Sequence, residues 1–182
     1  MKKLIRDAFI ICFTVAAATA YAGPAQNDKG EWFNYKTENF SVSFPSKPSV
    51  GSMVVKNDEG VYNGIAIGME GKSAAYILSC VEFDAQPGLA LDELPEVLES
   101  KREGTVLDKK VISLQGFDGR EYTIRNSKGT LIHRTYIVNK LLYQLAVQTR
   151  RGKVDRRNID RFFESFQIAR PEKKDLFARL HS

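Results

Sequence analysis

Cysteine is nearly missing from this chain: Cys12 and Cys80 are the only two in 182 residues. Histidine is as scarce, with His133 and His181 alone. A lone body cysteine and two distant histidines cannot supply the four ligands of a structural zinc site. No G-x-S-x-G elbow is present for a hydrolase nucleophile. No Gly-rich phosphate loop precedes a helical pattern. Asn57-Asp58-Glu59 falls short of the calcium loop of about 12 residues and reads as a turn. A membrane-spanning run is also lacking. The apolar stretch Ala8–Ala18 covers 11 residues, where a spanning helix needs roughly 20. Charge of one sign is weak too. The formal net charge is +5, too mild for a dedicated nucleic-acid binder. These shortages leave no assembled catalytic motif, no metal and no cofactor to expect.

What is present begins at the first residues. Lys2, Lys3 and Arg6 make a basic start, Ala8–Ala18 follows, and Ala20-Tyr21-Ala22 supplies a small-x-small pattern. In that order they predict a secretory signal peptide over residues 1–22, cut between Ala22 and Gly23. Cys12 is not a lipidation site, because Phe9-Ile10-Ile11 stands where a small residue is required. The exported chain then keeps 160 of the 182 residues and a net charge of +3, in a periplasm rather than the medium. Cys80 is left alone, so no internal disulfide forms even where the compartment permits one. It lies in Ala75–Val81, an apolar run, and reads as a buried small hydrophobe.

The rest divides into a lead-in over 23–37, one domain over 38–169 and a polar tail over 170–182. The tail includes a short amphipathic stretch, Leu176–Leu180. Phe40-Ser41-Val42-Ser43-Phe44 alternates as a strand with one face inward. Weaker strand patterns cover Val50–Lys56 and Val61–Met69, where Gly64 and Gly68 suggest close backbone approach. Ala74–Phe83 is apolar on both faces, as an interior strand is. Asp92 to Gly104 carries a helical period and a terminal glycine. Glu93, Glu96, Glu99 and Glu103 line that helix as a solvated face. Four strands follow: Val106–Leu114, Arg120–Asn126, Leu131–Val138 and Leu141–Thr149. Short turns at Gly116–Gly119, Asn126–Gly129 and Asn139-Lys140 join them into an antiparallel meander. A second helix starts at Asp155, with Val154 and Ile159 as a staple and Ile159, Phe162, Phe163 and Phe166 as its apolar stripe. The sum predicts an α+β fold: an α/β/α sandwich with a mostly antiparallel seven- to eight-stranded sheet and two main helices.

Three passages resemble the PsbP-like superfamily, which includes photosystem II extrinsic PsbP proteins and DcrB-like secreted bacterial proteins. Phe40–Pro48 resembles the opening strand and FPxxP turn of that group. Gly119-Arg120-Glu121-Tyr122 through Arg134–Leu145 resembles its central hairpin pair. Phe162–Ile168 resembles its closing helix and FxxSF strand entry. The resemblance implies the same α/β/α sandwich and no shared catalytic residue. Plant members bind at the surface of a membrane complex, but nothing in this chain marks a photosynthetic partner.

Few residues are candidates for function. His133 alternates with Thr135 and Ile137 inside a strand, which suits a paired or exposed strand histidine better than a general base. Arg150, Arg151, Lys153, Arg156, Arg157 and Arg161 fall close together at a strand end, a turn and a helix start. They form a candidate anion patch, aided by the free amides and dipole of the helix start. Asp155 and Asp160 dilute it, and charge runs on helices are ordinarily solvated faces. The expected function is a non-catalytic exported accessory or interaction domain of the bacterial cell envelope, with an envelope protein or an anionic lipid surface as partner. The alternatives are an envelope hydrolase built from scattered Asp, Ser, Tyr and His133, and a small-ligand carrier with Trp32 in its pocket.

Overall fold

The computed structural model describes residues 32–57, 60–85, 91, 104–150 and 155–169. In chain order the described elements are β1 (Phe33–Lys36), β2 (Phe40–Phe44), β3 (Ser49–Asn57), β4 (Gly60–Glu70), β5 (Ala74–Glu82), β6 (Thr105–Leu114), β7 (Phe117–Arg125), β8 (Thr130–Val138), β9 (Leu141–Thr149), α1 (Arg156–Glu164) and β10 (Gln167–Ile168). They form two antiparallel sheets, one of three strands in the order β1-β2-β10 and one of seven in the order β3-β4-β5-β9-β8-β7-β6.

This corrects the expected α+β class. The described residues hold one α-helix, and strands make up most of the rest, so the fold is β-rich with two sheets rather than a sandwich with two main helices. The expected helix from Asp92 lies outside the described residues. The physical reason for the second sheet is local. β2 alternates as expected, but it leaves the large sheet and pairs instead with β1 on one side and β10 on the other. The aromatic segment before Phe40 thus becomes a strand, with Phe33 opposite Phe44 and Tyr35 opposite Val42.

The small sheet and α1 together cover one face of the large sheet. Phe40, Val42 and Phe44 from β2 meet Tyr76 and Leu78 of β5, Tyr143, Leu145 and Val147 of β9, and Ile159, Phe162 and Phe163 of α1. Phe162 is the centre of a ring cluster, 5.3 Å from Phe44 and 5.3 Å from Tyr76 between centroids, distances suited to tilted and edge-to-face packing. α1 is fixed at its start by Asp155, whose carboxylate accepts from the Asn158 backbone N–H at 3.4 Å. At its end the Ser165 hydroxyl donates to the Phe162 carbonyl at 2.8 Å and accepts from the Ser43 N–H at 2.9 Å, tying helix to strand. The other face of the large sheet carries a second cluster: Met53, Val55, Tyr62, Val81, Phe83, Tyr122, Ile124, Leu131, Leu142 and Ala146.

The meander β6–β9 forms in the expected order. Asn139 takes a φ of 54° between Val138 and Leu141, as its turn required. The β6–β7 turn sits earlier than expected. Gln115 and Gly116 have φ of 52° and 90°, the paired positive values of a tight hairpin, and Phe117 already belongs to β7. Close approach of neighbouring strands requires glycine at several positions, Gly64 and Gly129 among them. A Cβ on Gly64 would lie 2.6 Å from the Cys80 carbonyl oxygen of the neighbouring strand. Gly129 combines a φ of +150° with a Cβ position 2.2 Å from the Thr149 carbonyl oxygen.

Candidate functional site

The antiparallel register sets polar residues side by side on the second face. Ser79 stands opposite Gln144, Gln144 opposite Thr135, and Thr135 opposite Arg120, a row across four strands. Ala146, His133 and Tyr122 make the adjacent row. Strand periodicity does this, since alternate residues share a face and opposite residues share a row. Ser79, His133, Thr135 and Gln144 are all buried. The Ser79 hydroxyl donates to Gln144 Oε1 at 3.4 Å. The Thr135 hydroxyl lies 3.5 Å from His133 Nε2. The Tyr122 ring stacks on the His133 imidazole at 6.5 Å between centroids, and its hydroxyl donates to the Leu91 carbonyl.

His133 is 1% exposed. Burial pushes its pKa down to about 4, because the charged imidazolium would lose its hydration. The neutral ring is a packing element at the pH of most compartments. The face was readable from the alternation with Thr135 and Ile137; the depth of burial was not.

Cys80 is buried and reduced, opposite Tyr143 in the β5–β9 ladder. Burial, chiefly, pushes its thiol up to about 12, so the nucleophilic thiolate is suppressed. Burial raises the Tyr143 phenol above its ordinary range as well. The expectation of an inert, buried Cys80 agrees with this placement.

Four members of the arginine cluster lie among the described residues. Arg151 and Lys153 lie outside the described residues. Arg150, at the end of β9, pairs with Glu70 of β4. Arg161 lays its guanidinium over the Trp32 ring, 4.5 Å from the centroid. Arg156 and Arg157 are exposed on α1, with no ion pair among the described residues. Between Asp155 and Glu164, the three arginines share the surface with Asp155, Asp160 and Glu164. Positive and negative charges therefore balance along the helix. Trp32 packs against the first core and under the Arg161 guanidinium. Ala22, Gly23 and the leader lie outside the described residues, as do His181 and the tail.

A charged arrangement that the sequence did not announce joins the two layers. Arg134 on β8 donates from Nε to Glu121 Oε2 on β7 at 2.6 Å, and its guanidinium covers the Phe163 ring of α1 at 4.4 Å. Lys110 reaches Glu121 at 3.6 Å and Asp108 at 3.1 Å. Arg134 occupies a core-face position between Ile132 and Tyr136, and that break in an apolar stripe was the available signal. Its role is to seat the helix on the sheet. Among the described residues no group of three or more His, Cys, Asp or Glu is placed to hold a metal, and no helix is long and apolar enough to cross a membrane. Set beside known proteins, the chain matches no protein-family model and no curated protein.

Proposed function

We propose that the chain is a non-catalytic interaction domain of PsbP-like type, exported to the periplasmic side of a bacterial cell envelope. The observation that carries this reading is the state of His133. The residue best suited by type to act as a general base is buried, uncharged and packed between Tyr122 and Thr135. A base must reach the proton it abstracts, and this one is committed to the sheet. Cys80 is suppressed in the same manner. The leader pattern supports export, and the resemblance in the three PsbP-like passages brings no shared catalytic residue with it. The charge balance along α1 favours a protein partner over an anionic lipid surface, since membrane adhesion needs a net basic face.

Two measurements test the reading. The first is a screen against ester, phosphoester and peptide substrates, with His133→Gln as control; no turnover is expected, and turnover lost in the variant overturns the proposal. The second compares anionic with neutral vesicles at low and moderate salt. Equal, negligible binding is expected, whereas salt-sensitive adhesion to the anionic vesicles alone would move the partner from protein to lipid.

A further inference from the structure

Among the described residues the large sheet ends in two open strands, β6 and β3. They are built differently. β6 carries a register break between Val106 and Asp108, followed by the charged run Asp108-Lys109-Lys110. Bulges and charges are the ordinary means by which a free edge avoids pairing with other chains. β3 has neither. It pairs with β4 through nine consecutive residues without a break. From Ser49 to Val55 it bears no charged side chain. Val50 and Val54 point to one face of the sheet and are 48% and 46% exposed. Val61 of β4, on that same face, is 60% exposed.

We propose that β3 is a homodimer interface, with a second copy of this chain as its occupant, extending the sheet antiparallel across a two-fold axis at Ser52. The strand is complementary to itself about that residue. Ser52 meets the partner's Ser52, and Val50 meets the partner's Val54 on each side of the axis. The face is preserved, because pairs related by this axis are an even number of residues apart. Gly51, where nothing lies within 4 Å of a Cβ position, comes beside the partner's Met53. Lys56, the first charge along the strand, falls opposite the partner's Pro48, so no like charges meet. Pro48 has no N–H to donate and ends the ladder there. In the large sheet β3 is the one edge without a break, so the contact through it is isologous and closes at two copies rather than growing into a fibre. This interface does not depend on the function proposed above.

Sedimentation equilibrium of the protein, expressed from its full-length coding sequence, tests the interface. A concentration-dependent dimer is expected. Val54→Lys sets a lysine against the partner's Val50 at two places, and raises the dissociation constant by about tenfold or more. Position 54 is half exposed in the single chain, and circular dichroism checks that the variant keeps its sheet. A second arm uses Ser52→Cys in a Cys12→Ser background, with buried Cys80 unreactive. Facing strand residues are about 4.5–5.5 Å apart between Cα atoms, inside the disulfide range. The Ser52→Cys chains therefore oxidise to a covalent dimer far faster than Val61→Cys chains, whose cysteines the axis does not bring together. A monomer at every soluble concentration overturns the proposal. So do an open-ended series of larger species, a dimer unaffected by Val54→Lys, and equal oxidation rates for the two cysteine variants.

Discussion

Acidification should weaken this protein through His133, and the size of the effect follows from its burial. In the unfolded chain the imidazole takes up a proton near pH 6.5, whereas in the fold it does so only near pH 4. Between those values the unfolded state binds the extra proton, so stability rises with pH across that window and is lost as pH falls. The contribution is fully present above about pH 6.5. Each pH unit in the window is worth about 1.4 kcal/mol, and the whole interval about 3 kcal/mol. Roughly 2 kcal/mol of this disappears between pH 7 and pH 5. That is a large part of the 5–15 kcal/mol or so that holds a typical domain together. Urea unfolding at several pH values between 7 and 5 measures it, with His133→Gln as the reference that cannot titrate. His181 is common to both chains and cancels in the difference. The wild-type chain should lose about 2 kcal/mol more than the variant over that range. Parallel pH profiles for the two proteins would refute the burial of a neutral His133.

Three further outcomes are expected. Gly129→Ala should destabilise by about 1–3 kcal/mol in urea unfolding, because its φ of +150° and the Thr149 carbonyl leave no place for a Cβ; an unchanged midpoint would show that the turn relaxes freely. Cys80 should resist iodoacetamide at neutral pH in the folded chain and react in urea, read by mass spectrometry, since burial suppresses its thiolate; fast labelling of the native protein would contradict this. Arg161→Ala should shift the emission of Trp32, the sole tryptophan, by removing the cation 4.5 Å above its ring. The accompanying stability loss should be about 0.5–1 kcal/mol, as for other exposed cation–π pairs, and an identical spectrum would remove the contact.

Local patterns carried a good part of this fold. The alternation in Phe40–Phe44, the strand order of the meander and the Asp155 cap are properties of short stretches, and the structure has all three. Strand periodicity says which face a residue takes but not which strand lies alongside. The partners of β2, and with them the two-sheet architecture, are therefore not legible in its pattern. β10 is two residues long and carries no period at all. The β6–β7 turn was displaced because Gln115 is an unusual occupant of a positive φ, while the glycines beyond it suggested a later turn. The arginine cluster is legible because its members are near in sequence, whereas the contacts its members make are not. Its partners are remote: Glu70 lies 80 residues from Arg150, and Trp32 is near the other end of the domain. His133 could be assigned to a face by alternation, but its burial depends on cover from distant segments.

Gln115 has a consequence for how the molecule comes apart. Its side-chain amide donates to the Ile168 carbonyl at 3.1 Å and accepts from the Ile168 N–H at 2.7 Å, as a peptide group of a neighbouring strand would. One glutamine at a hairpin tip thus clasps the last residues of the domain. Detaching the carboxyl-terminal end requires that clasp to open, so the Ile168 amide proton should exchange with solvent in step with motions of a hairpin more than fifty positions upstream.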